Sequence, residues 1–105
     1  MTTSFTTSTY NLNTVKAALS SVSNLRMTGV ARRGAVSLGM DDSDIVNAIQ
    51  SLKISDFYKT MASEKMPQYG NMDVYKTNWN GQNIYMKFQN IAGFIVVSFK
   101  QDESV

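Results

Sequence analysis

Lysine and tyrosine at even spacing are the residues of this chain that could do chemistry: Lys76, then Tyr85 and Lys87, then Lys100. Side chains along a β-strand alternate between two faces, so residues two apart share one. Asn80-Gly81 is a strong hairpin signal, because a type I′ turn needs positive φ at both central positions. This turn predicts that position 76 faces 85, 74 faces 87 and 72 faces 89. The connection from Asn90 to Gly93 then sets Gln89 opposite Phe94, Lys87 opposite Val96 and Tyr85 opposite Ser98. One face so defined carries Met72, Val74, Lys76, Tyr85, Lys87, Gln89, Ser98 and Lys100. The other carries Ile84, Met86, Phe88, Ile95, Val97 and Phe99 and reads as the core. A tyrosine flanked by three lysines on one sheet face is a surface for an anion.

The rest of the composition narrows what such a surface can do. The chain has no His and no Cys, which removes the commonest general acid/base, the commonest metal ligand, any zinc thiolate site and any cysteine nucleophile. Catalysis would have to run on Lys, Arg, Tyr, Asp, Glu or hydroxyl groups. No phosphate-cradling Gly loop or serine-hydrolase elbow is present. Asp41, Asp42 and Asp44 lack the calcium-loop spacing and read as helix capping, so no metal and no cofactor is expected. Ten basic and eight acidic residues leave a formal net charge of +2. A histone-like binder is excluded, and a local basic patch remains possible. No apolar run approaches the ~20 residues of a membrane span. The opening MTTSFTTSTY has neither the basic start nor the apolar stretch of a signal peptide. A cytoplasmic setting without disulfides follows as the expectation.

The elements that must position these residues are legible from hydrophobic period and caps. With 105 residues and 43% hydrophobic composition, there is room for one domain and one modest core. Residues 1–10 are Ser/Thr-rich and read as flexible, as do residues 101–105. Leu12, Val15, Leu19 and Val22 recur at helical spacing, predicting a helix from Thr14 to Val22 with Asn13 as cap. A second helix is expected from Ala31 to Leu38, ending at Gly39, with Arg32 and Arg33 on a solvated face. The third carries the clearest signals: Asp41 as cap, Asp44 three residues on, Met40 and Ile45 as a staple, and Ile45, Ile49 and Leu52 as its buried stripe. Asp56 to Met61 alternates and reads as a strand, and residues 62–71 as a polar loop. Three helices followed by four strands with short links make an α+β fold, the helices packed on the apolar face of an antiparallel meander.

These residues carry a resemblance. Asp56-Phe57-Tyr58-Lys59 followed by Met61, Asp73-Val74-Tyr75, Gly81-Gln82 with Tyr85 and Lys87, and Val97-Ser98-Phe99-Lys100 are similar, in order and offset, to the MqsR family of bacterial toxins. The likeness reaches upstream through Leu12, Val15, Lys16, Leu38-Gly39 and Asp41, and so covers residues 10–100. These are RelE-like messenger-RNA interferases of toxin-antitoxin systems. The resemblance implies a RelE-like fold and a ribosome-independent endoribonuclease that stops growth by cutting mRNA. It also implies inhibition by an MqsA-like antitoxin with zinc and helix-turn-helix domains.

Carried over one by one, the family's catalytic positions fall on Lys59, Tyr85 and Lys100, with Lys76 in the basic role. Met72 stands where the family has Gln, and a thioether cannot donate the hydrogen bond an amide can. Gln89, across from Met72 in the register above, is the candidate to replace it. For RNA the minimal reaction is attack of a 2′-hydroxyl on the adjacent phosphate, which needs a proton acceptor, cations and an acid for the leaving oxygen. Lys59 or Tyr85 would accept the proton, with Lys76 and Lys100 as cations. Crowding these with Lys87 favours a neutral amine. Tyr58, Tyr75 or Phe94 would offer stacking surfaces for bases. Taken singly, a strand lysine is usually a solvated edge residue; the functional weight lies in the constellation. A non-catalytic single-stranded RNA-binding module and an acidic-partner interaction domain are the alternatives.

Overall fold

In the computed structural model, residues 4–5 and 7–103 are described. Three helices, α1 (Leu12–Ala18), α2 (Gly29–Ser37) and α3 (Asp42–Gln50), precede most of an antiparallel sheet. The sheet contains β1 (Ser4–Phe5), β2 (Phe57–Met61), β3 (Met72–Trp79), β4 (Gln82–Asn90) and β5 (Phe94–Gln101), in that spatial order. The expected meander of four strands is therefore extended by one short strand from the N-terminus, with Ser4 opposite Met61 and Phe5 opposite Thr60. A two-residue strand has no periodicity to show in sequence. Part of the expectation of loose ends lies outside the described residues. Within them, the Thr9 and Tyr10 amides donate to the two carboxylate oxygens of Asp73, each at 2.9 Å. At the other end Gln101 continues β5 and Asp102 is buried.

Each helix is set by its cap. For α1 the cap is Asn11, whose side chain accepts from the Thr14 amide, two residues earlier than expected. The stripe also ends sooner: Leu12, Val15 and Leu19 are buried while Val22 is 47% exposed. Ser21 caps a separate short turn over Val22–Asn24, the competition with helix that serine side chains offer. Thr28 starts α2 earlier than expected, and Gly39 takes positive φ (72°) just past its end. The reciprocal Asp41 and Asp44 capping box of α3 is as read from the sequence.

The helices cover one sheet face, where Leu19, Ile45, Ile49 and Leu52 join Ile84, Met86, Phe88, Val96 and Phe99 in one core. Burying each such side chain contributes about 1.5–3 kcal/mol. At one point α2 meets β5 backbone to backbone: a Cβ on Gly34 would lie 1.9 Å from the Phe99 carbonyl oxygen.

The β3–β4 register is the one read from Asn80-Gly81, with Lys76 opposite Tyr85 and Val74 opposite Lys87. Both turn residues have positive φ (51° and 81°). The β4–β5 register differs from expectation. Asn90 itself pairs with Phe94, leaving a loop of Ile91, Ala92 and Gly93, and a bulge follows between Phe88 and Lys87. The shorter loop shifts the pairing by one residue and the bulge shifts it by a second. Val96, not Ile95 or Val97, therefore enters the core, and Lys100 rather than Ser98 stands opposite Tyr85. Two slips restore the parity, so Lys100 still shares a face with Tyr85.

Candidate functional site

A cleft of about 620 Å³ is lined by Tyr58, Lys59, Lys76, Tyr85, Lys100, Gln101, Asp102 and Glu103, with Gly34 and Ser37 of α2 and its C-cap Leu38 as a wall. Strand register explains the gathering. Lys76, Tyr85 and Lys100 form one row across β3, β4 and β5. Lys59, Val74, Lys87 and Ser98 form the next. A second bulge, between Phe57 and Lys59, swings Tyr58 toward the first row. There the Lys76 ammonium lies 3.9 Å from the Tyr58 ring centroid, and Lys59 5.4 Å from it. Lys100 stands 5.1 Å from the Tyr85 ring and Lys87 5.9 Å. Such cation–ring contacts contribute about 0.5–2 kcal/mol, more as water is excluded.

The electrostatics separate the titratable groups. Burial, then Tyr58 and Asp102, push the Tyr85 phenol above its ordinary 10.0. Burial, then the charges of Lys100 and Lys59, pull the Lys87 ammonium below its ordinary 10.5. Desolvation and like charges both favour the neutral amine of Lys87. Lys76 also meets Asp102, Nζ to Oδ1 at 3.7 Å.

The structure brings together Tyr58, Lys59, Lys76, Tyr85 and Lys100. Lys87 and Met72 share the face but lie outside the cleft lining. Gln89 is buried, and its amide nitrogen donates to the Gly70 carbonyl at 3.1 Å. That bond ties down the loop before β3 and leaves Gln89 poorly placed to take over the family's glutamine role. Val74 is fully buried between Lys59 and Lys87 in its row, so the face is not open throughout. Two proposed stacking surfaces are structural instead. Tyr75 is 2% exposed, packs edge-on to Phe57 and Phe88, and has its phenol pushed up to about 12 by burial and Asp73. Phe94 packs edge-on to Tyr10 at 5.2 Å. Arg32 pairs with Asp42 at the surface. Asp102, Glu103 and the α2 wall were missed; the tail offered no periodic signal, and Gly34 stands out only once β5 is laid against α2.

Among the described residues no group of three His, Cys, Asp or Glu is arranged to hold a metal ion. None of their helices is long and apolar enough to cross a membrane. The fold is a helix-backed antiparallel sheet with a cleft lined by lysine and tyrosine. Residues 7–101 match the family described as the motility quorum-sensing regulator, toxin of MqsA. Over 77 residues the chain is 34% identical to the mRNA interferase toxin MqsR of Escherichia coli (strain K12), covering 73% of this chain and 78% of that protein. The chain belongs to the MqsR toxin family.

Proposed function

We propose that this chain is an mRNA interferase, the toxin of a toxin-antitoxin system, cutting mRNA without the ribosome and held inactive by an MqsA-like antitoxin with zinc and helix-turn-helix domains. Its place of action is the cytoplasm, where its substrate is. The observation that carries the reading is the convergence of Lys59, Lys76, Tyr85 and Lys100 on one cleft.

The reaction follows from the groups present. The RNA 2′-hydroxyl oxygen forms a bond to the adjacent phosphorus and passes its proton to a basic side chain of the cleft, while the bond from phosphorus to the 5′-oxygen breaks. Tyr85, whose raised value keeps it protonated at neutral pH, donates to that 5′-oxygen. Lys59, the other candidate for the acceptor and a wall of the same cleft, takes the 2′ proton. Lys76 and Lys100 face the charge that develops on phosphate oxygens. The products are a 2′,3′-cyclic phosphate and a free 5′-hydroxyl.

Incubation of the purified protein with bare mixed-sequence RNA tests this reading, with fragment ends read by mass spectrometry. Cyclic or 3′-phosphate ends paired with 5′-hydroxyl ends are expected. A substrate with one 2′-deoxy sugar immediately 5′ of the cut should bind and stay intact. Cutting of that substrate, or 5′-phosphate ends, would mean that water is the nucleophile. Retention of RNA without cleavage would make the chain a single-stranded RNA-binding module, and neither cleavage nor retention an interaction domain for an acidic protein.

A further inference from the structure

Among the described residues that line the cleft, Asp102 is the buried carboxylate, and the proposed reaction does not use it. Its charge opposes an anionic substrate, so its place there calls for a compensating role. The side chain is 5% exposed. Its backbone N–H donates to the Asn83 carbonyl at 2.8 Å, one residue past the end of β5, so the sheet fixes where the carboxylate stands. Oδ1 lies 3.7 Å from Lys76 Nζ, and that same nitrogen lies 3.9 Å from the Tyr58 ring centroid. A lysine on its flexible four-carbon stem samples many positions unless something holds it. Here a carboxylate and an aromatic face do so together. The match to the family ends at residue 101, so this contact is made by a residue beyond the shared stretch.

We propose that Asp102 is a positioning residue of the nuclease site, holding the Lys76 ammonium over the Tyr58 ring at a fixed point of the cleft. The proposal rests on the endonuclease reading above. Misplacing a reacting group by about 1 Å can cost on the order of 100-fold in rate, so a cation held at one point is worth the repulsion its partner adds. Asp102 also acts on Tyr85. That phenol is faced by Lys76 from β3, Lys87 from β4, Lys100 from β5 and Tyr58 and Lys59 from β2, with Asp102 and Glu103 on the same cleft wall; the α2 wall adds no titratable group. Removing the Asp102 charge lets Tyr85 ionise at lower pH, because that charge is one of the causes holding its proton on.

The test compares Asp102→Asn and Asp102→Glu with the unaltered full chain. Asparagine keeps the shape and the main-chain bond to Asn83, so folding should persist, checked by Tm. In Asp102→Asn, kcat should fall roughly tenfold or more, while KM does not rise, since a negative charge has left a cleft that binds an anion. The alkaline loss of activity should begin at lower pH, and Asp102→Glu should recover part of both effects. Independently of activity, the Lys76 Cε protons should show an upfield ring-current shift from Tyr58 in proton NMR. That shift should vanish in Asp102→Asn and, as a reference, in Tyr58→Leu. A retained ring shift with unchanged kcat and pH profile overturns the proposal, as does a loss of kcat that merely accompanies a lowered Tm. If the ring shift is lost in Asp102→Asn but the unaltered protein cuts no RNA, the endonuclease reading fails and the positioning of Lys76 stands.

Discussion

Tyr85 is the residue whose environment says most about its role. A phenol donates only while protonated, and burial with the nearby Tyr58 and Asp102 holds the proton on beyond the ordinary value of 10.0. Activity that needs Tyr85 protonated should therefore not decline on this account between neutral pH and about 10, and the part of any decline above it that comes from Tyr85 should be absent in Tyr85→Phe. Tyr85→Phe, Lys59→Ala and Lys100→Ala should each reduce cleavage by about 100-fold or more, the scale of one acid or base contribution. Their Tm should stay near that of the unaltered chain, because each side chain faces the cleft and not the core. Normal cleavage in all three folded variants would remove the site assignment. These residues were legible from alternation around Asn80-Gly81 and from the family resemblance. Asp102 was not, because a single acidic residue near a chain end carries no pattern until β5 places it.

At the scale of elements, two bulges decide what the face contains. The one in β5 exchanges Val96 for Val97 in the core, which makes a direct comparison possible: Val96 is fully buried and Val97 only partly so. Val96→Asp should cost several kcal/mol and unfold the domain, since it buries an unpaired charge. Val97→Asp, expected from simple alternation to be the damaging change, should leave the protein folded with a lowered midpoint in urea. Equal loss from both would place the bulge elsewhere. Alternation alone cannot show a bulge, because the extra residue drops out of the backbone ladder, as Val97 does, and leaves no mark on residue type. Gly34 is a second case. Any Cβ there meets the Phe99 carbonyl and then Lys100, so Gly34→Ala should destabilise by about 1–3 kcal/mol and disturb the cleft wall as well.

The whole molecule works as a sheet with one insulated and one charged face. Its modest net charge of +2 is distributed unevenly, with Lys59, Lys76, Lys87 and Lys100 on one side of four adjoining strands. RNA affinity should thus fall steeply with salt, by about one counterion's slope less for each of these lysines changed to Gln. A flat salt response in a filter-binding titration would contradict binding through that face. Cleavage should also persist in EDTA, since the chain has neither His nor Cys and, among the described residues, no group of three Asp or Glu is arranged to hold a metal ion. By itself the sequence determined the α3 capping box, the β3–β4 hairpin with its two faces, the α+β class and the family, because caps, turns and hydrophobic period are local properties written in residue type. Only the tertiary structure decided which of two adjacent valines is core, that Gln89, Tyr75 and Phe94 hold structure together, and that Asp102 and the α2 wall complete the cleft. Those outcomes depend on register, bulges and the approach of residues distant in the chain, which are fixed by packing energy and not by any neighbouring residue.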